Sequence, residues 1–146
     1  MKHPQTAAIE LYDHFKDKRL YNIQKYGCCA FVLMWCLGLD PSDVTAITTL
    51  DDMISHKVLK EDCTVKWAEA IRFLSGREMT AVDFIETKTI SDIKERTPVR
   101  FDFSGQSHWV GVENGQVAFN PLKVSNCVMY GRPTQKRVLH IKGVEL

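Results

Sequence analysis

The 146-residue chain predicts an α+β domain, helices first and an antiparallel sheet after them. Three observations carry this. Apolar residues in the first half recur at helical spacing. Those in the second half alternate, or cluster as β-branched and aromatic runs. No Gly/Ser/Pro-rich linker divides the two halves. Helices followed by strands imply helices packed on one side of a sheet, and the length suits one domain, residues 1–146, with a single ordinary core.

Taken in order, TAAIELYDHFKDK places Ala8, Leu11, Tyr12 and Phe15 at i, i+3, i+4 and i+7, one apolar helical face with charges opposite. NIQKYG reads as a polar connector. The run from Cys28 to Leu37 is apolar on every side, which marks a central helix, and Gly38 suits its C-terminal cap. Pro41, Ser42 and Asp43 restart a helix, and TTLDDMISHKV adds a short one. TVKWAEAIRFLSG has Thr64 as N-cap, Trp67, Ile71 and Leu74 on one face, and Gly76 past its end. MTAVDFI reads as a strand and TISDIKER as a short helix or turn before Pro98. PVRFDFS, HWVGVE, QVAFNP and RVLHIKGVEL then read as strands.

Composition narrows the function classes. With 45% hydrophobic and 25% charged residues the chain has the make-up of a soluble globular protein. Its 19 basic and 18 acidic residues leave a net charge of +1. The most basic stretch, GRPTQKR, reads as a solvated loop, so no nucleic-acid partner is expected. The start lacks a signal-peptide core and the longest apolar run is far below membrane-spanning length. No membrane insertion is expected, and the product is cytoplasmic as translated, with later export left open. Five cysteines, two of them adjacent, argue against a disulfide framework and for a reducing compartment. There is no C-x-x-C and no His/Cys pair at zinc spacing, so no structural metal is expected.

The stretch YGCCAFVLMWCLG sets the functional question. A thiol becomes a good nucleophile as a thiolate, which a helix N-terminus and a neighbouring imidazole favour. Cys28 and Cys29 both fall in the first turn of the predicted central helix, after a glycine that lets the backbone turn and leaves room for a substrate chain. Cys36 lies two turns further in, as core. Of five histidines, His108 alone begins a predicted strand amid turn and strand signals. His3 and His14 sit on the terminal helix, His56 among surface charges, and His140 projects from a strand. Trp109 and Trp35 are expected to pack the sheet and the core.

Whether His108 has an orienting partner depends on the turn at ENG. A two-residue Asn114-Gly115 loop pairs Glu113 with Gln116 and sends His108 and Asn120 to opposite faces. A three-residue loop with Gly115 in a bulge pairs Val112 with Gln116 and sets His108 across from Asn120. The second register is the one expected, with the Asn120 carboxamide accepting the imidazole N–H.

GCCAF before an apolar helix, followed at a distance by SHWVGVENGQVAFNPL, resembles the papain-like cysteine peptidase superfamily. The similarity extends to compact members such as the bacteriocin-processing peptidase domains. CCAF is similar to the Cys-x-Ala-Phe of papain relatives, which selects Cys28 over Cys29. DCTVKW fits the middle C-x-V-x-W element of small spirochaete and phage proteins similar over nearly the whole chain. The resemblance implies a papain-like fold and a cofactor-free hydrolase acting on a peptide or isopeptide bond in a peptide, protein or cell-wall substrate. Cys28 would be its nucleophile, His108 its acid and base, and Asn120 the residue that holds the ring. It also implies a glutamine ahead of the cysteine as oxyanion donor, alongside the Cys28 N–H. Gln24 stands four residues ahead instead of five or six, and Asn22 occupies the sixth place, so either is open. The irregular spacing favours a second reading, a non-catalytic module that binds peptide in the same cleft; a third is a phage- or plasmid-encoded interaction protein unrelated to peptidases.

Overall fold

The computed structural model describes residues 1–142. Helices α1 (Pro4–Phe15), α2 (Lys18–Tyr26), α3 (Cys28–Cys36), α4 (Asp43–Ser55) and α5 (Trp67–Ser75) come first. Strands β1 (Met79–Glu86), β2 (Thr97–Phe103), β3 (Gln106–Glu113) and β4 (Gln116–Phe119) follow, then the short α6 (Asn126–Tyr130) and β5 (Arg132–Ile141). The α+β expectation holds. All neighbours in the sheet run antiparallel in the order β1-β5-β2-β3-β4, so the last described strand inserts between the first two.

Several elements differ from the sequence reading, each for a local reason. NIQKYG is no connector: Asp17 caps α2 by accepting from the Arg19 and Leu20 N–H groups, and the helix runs to Tyr26. Residues 43–55 form one helix, capped by Ser42 accepting from Thr45 N–H, because nothing after Val44 breaks it. The cap of α5 is Lys66, since the residues before it pair as an isolated bridge between Leu59 and Val65. GRPTQKR largely belongs to β5, paired on both sides. The end of the RVLHIKGVEL strand, residues 143–146, lies outside the described residues. Phe15, expected on the same apolar face of α1 as the fully buried Ala8, is the last residue of the helix and is 64% exposed.

α3 is the central helix. Ala30, Phe31, Val32 and Leu33 are all fully buried, enclosed by α1, α2, α4 and the sheet. Gly27 before it is also buried. A Cβ there would stand 2.4 Å from the Ile23 carbonyl oxygen and 3.1 Å from Leu50 Cδ2, so this glycine serves helix packing, not access for a substrate chain. A second apolar cluster, with Val99, Phe101, Val110 and Val112 from the sheet, is closed by Cys127 of α6.

The β3–β4 turn overturns the expected register. The loop is the two-residue Asn114-Gly115, with Glu113 opposite Gln116, and both turn residues have positive φ (53° and 74°) as a type I′ turn demands. A bulge then intervenes. Val112 pairs with Val117 but Gly111 pairs with Phe119, so Ala118 is the extra residue. The added residue flips the alternation, so residues beyond it face the other way. His108 and Asn120 thus reach one side by a tight turn plus a bulge, not by a three-residue loop.

Gly111 also sets how closely α3 docks. A Cβ there would lie 2.4 Å from Trp35 Cε3 and 2.5 Å from Cζ3. Trp35 has little freedom to move, being stacked on Phe119 at 6.0 Å with the Arg96 guanidinium 4.4 Å from its ring centroid. Gly111→Ala is expected to destabilise the fold by roughly 1–3 kcal/mol, read as a lower urea midpoint at unchanged m-value.

Candidate functional site

His108 and Asn120 meet. His108 Nε2 and Asn120 Oδ1 are 2.7 Å apart, and the same oxygen accepts the Leu122 backbone N–H at 3.0 Å. A backbone N–H only donates, so that second contact identifies the carboxamide atom as oxygen, and Nε2 must be the protonated ring nitrogen. In the neutral ring Nδ1 is then an acceptor with its lone pair free. The bond to Leu122 is an Asx-type turn, which the Asn-Pro pair favours and which fixes the carboxamide before the histidine reaches it. α1 braces this loop: Gln5 N–H donates to the Pro121 carbonyl at 3.0 Å, Thr6 Oγ1 accepts from Lys123 N–H, and His3 Nδ1 donates to the Asn120 carbonyl at 3.0 Å.

Cys28 begins α3 and borders two cavities. One, of about 680 Å³, is also lined by His108, Gln5, Ser107, Leu122 and Cys127. The other, of about 740 Å³, is lined by Cys29, Asp62, Cys63, Trp109 and Arg137 as well. Lys25, Tyr26 and Ser107 are shared, so the two form one groove with the Cys28 sulfur between its halves. Cys29 lines only the half without His108, which singles out Cys28, of the two adjacent cysteines, as the thiol that shares a cavity with the imidazole. Trp109, expected to pack the sheet, also forms a wall of the groove.

The start of α3 is built to leave N–H groups at the sulfur. In a continuous helix the Gln24 carbonyl would take the Cys28 N–H. Here that carbonyl accepts the Gln5 side-chain Nε2 at 2.7 Å instead, and α2 ends at Tyr26. β4 stops opposite Gly111, so the earlier part of β3 is an edge with backbone groups to spare. The N–H groups of Trp109, Cys29 and Cys28 itself lie around Sγ.

Burial works against charge on both partners. Cys28 is 8% exposed and His108 4%. Burial pushes the Cys28 thiol above its ordinary value, partly offset by those N–H groups. It pushes the His108 imidazole below its ordinary value, opposed by the Asn120 bond. Both directions favour a neutral thiol and a neutral imidazole. Burial raises the other four cysteines as well, Cys63 to about 12 and Cys29 well above its usual range.

Gln24 does not reach the groove. It lines neither half, and only its carbonyl takes part, accepting from Gln5. Asn22 is committed elsewhere, donating from Nδ2 to the Glu61 carbonyl at 3.0 Å. The side chain the sequence reading missed is Gln5. It is 4% exposed, lines the His108 half of the groove, and its Oε1 is buried without a hydrogen-bond partner. A polar residue beside Pro4 at a helix start gives no sequence signal for this, because its role comes from α1 docking across α2.

Among the described residues no group of three or more His, Cys, Asp or Glu is placed to hold a metal ion, and no helix is long and apolar enough to cross a membrane. No protein-family model, curated protein or solved structure matches the chain.

Proposed function

We propose that the chain is a papain-like, cysteine-dependent hydrolase that cleaves a peptide or isopeptide bond without a cofactor. The observation that carries this reading is the 2.7 Å bond from His108 Nε2 to Asn120, which leaves Nδ1 as the free acceptor in a cavity shared with Cys28.

The chemistry follows from the neutral pair. As Sγ attacks the carbonyl carbon, its proton passes to His108 Nδ1, and Asn120 holds the resulting imidazolium in plane. The oxyanion faces the N–H groups freed at the start of α3. Gln5 Nε2 has a second hydrogen beyond the one given to Gln24 and takes the place expected of Gln24. Collapse expels the amine, which takes the proton from Nδ1 and leaves a thioester. Water attacks the thioester, His108 again moves the proton, and the acid is released with the thiol restored. The substrates proposed are peptides, proteins or cell-wall peptides.

The raised thiol favours a second reading, a module that holds peptide in the groove without cleaving it. Alkylation by iodoacetamide, mapped by mass, tests the first. Cys28 is expected to react faster than Cys29 or Cys63 at pH 7, and His108→Ala to slow Cys28 alone by about tenfold or more. Because burial depresses the imidazole, the His108-dependent rate is expected to persist below pH 6.5, the usual imidazole value. It falls only as the ring protonates. Equal Cys28 rates with and without His108 would remove the hydrolase reading. His108-dependent labelling without turnover of a peptide or muropeptide library would favour the binding module.

A further inference from the structure

We infer that the Arg137 half of the groove is a carboxylate-binding subsite, so that the ligand is a peptide with an acidic side chain or terminal carboxylate close to the bond at Cys28. The inference rests on reading the groove as a peptide site.

Arg137 stands on β5 with its guanidinium carbon 3.9 Å from the Phe84 ring centroid and 4.7 Å from that of Trp109. Two aromatic faces fix the plane of the fork and hold its charge at the groove wall. Its hydrogen-bonding capacity is largely unspent. Nη1 donates to Gln135 Oε1 at 3.0 Å, and Nε is buried with no partner. Among the described residues no carboxylate pairs with it, whereas Arg19, Arg72, Arg96 and Arg100 all form ion pairs.

The charges facing the same cavity leave it attractive to an anion. Lys25 adds a second cation, held against Tyr21 Oη at 3.2 Å. Asp62 is the one acidic residue in the wall, and its carboxylate already accepts the Thr64 N–H at 3.1 Å. Burial lowers Arg137 from its ordinary value while proximity to Cys29 opposes that, and a guanidinium stays charged across the working pH range. A partly desolvated cation with open donors is a cost to the free protein, and an incoming carboxylate relieves it with charge-assisted bonds. Phe84, 64% exposed, and Trp109 give the flanking apolar contact that a peptide's neighbouring residue would cover.

The test uses fluorescent hexapeptide pools in which one position is fixed as Glu or Gln and the rest are mixed, titrated against the Cys28→Ala protein by fluorescence polarisation. For at least one position the Glu pool is expected to bind about tenfold tighter than the Gln pool, with the difference shrinking as salt rises. Arg137→Gln removes the preference, and Arg137→Lys retains part of it. Unfolding midpoints of both variants check that they fold, and the lysine variant carries the test if the glutamine variant does not. Equal binding of Glu and Gln pools at every position, and of free-acid and amidated C-termini, overturns the proposal, as does a preference that survives loss of Arg137. The iodoacetamide assay on Cys28 and His108 is read separately. Acid preference without His108-dependent reactivity keeps the subsite and removes the hydrolase reading, and the reverse result removes the subsite alone.

Discussion

His108→Ala is expected to lower kcat/KM for peptide hydrolysis by roughly 10²–10⁴, the usual contribution of a positioned acid–base group. The physical reason is the burial of Cys28. A thiol held above its ordinary value forms little thiolate by itself, so the proton must leave as the sulfur attacks, and Nδ1 in the same cavity is the proposed acceptor. A companion change separates chemistry from architecture. Asn120→Leu keeps the volume but removes the bond that holds the His108 pKa up against burial. Its pH–rate profile is therefore expected to show the acid limb at lower pH than the parent, with a lower plateau because the ring is no longer fixed. An acid limb that stays in place, or a His108→Ala enzyme of parental activity, would show that the imidazole does not take the proton.

Phe31→Ala is expected to destabilise the fold by about 3–5 kcal/mol. Phe31 is fully buried in the middle of α3, against α2 and α4. Its ring edge lies so near Gly27 that a Cβ there would come within 3.2 Å of Cε2. A loss of that size is a large share of the 5–15 kcal/mol typical of a folded domain. Urea unfolding monitored by tryptophan fluorescence would show a lower midpoint. The matched control is Phe15→Ala on α1, 64% exposed and expected to stay within about 0.5 kcal/mol. Similar losses for the two would mean that α3 is not the centre of the core. Because α3 also carries Cys28, the Phe31 variant links packing to chemistry: loosening the helix shifts the sulfur relative to His108.

The elements that local pattern controls were legible. The all-apolar run from Cys28 to Leu37 marked the central helix because no face of it could be left in water, and the alternating runs after Met79 marked the strands. Asn120 before Pro121 was readable as a partner for His108 because an Asn-Pro turn presents a fixed carboxamide oxygen. The register was not readable at the turn alone. Asn114-Gly115 chose the tight turn its backbone favours, and the residue that restored the common face, Ala118, carries no signal of its own. α2 was missed because Lys18–Tyr26 has few apolar residues, and Asp17 at its cap was the signal that could have found it.

By itself, then, the sequence determined the α+β order and the buried helix that begins at Cys28, and it offered Asn120 as a partner for His108. These depend on side-chain periodicity and local turn chemistry, which a linear string carries. The tertiary structure alone decided that Gln5 and not Gln24 faces the groove, and that Arg137 stands between Phe84 and Trp109 with no carboxylate partner among the described residues. Both depend on how α1 and β5 dock against distant elements. Docking is set by the sum of many weak apolar contacts, and no short stretch of sequence records that sum.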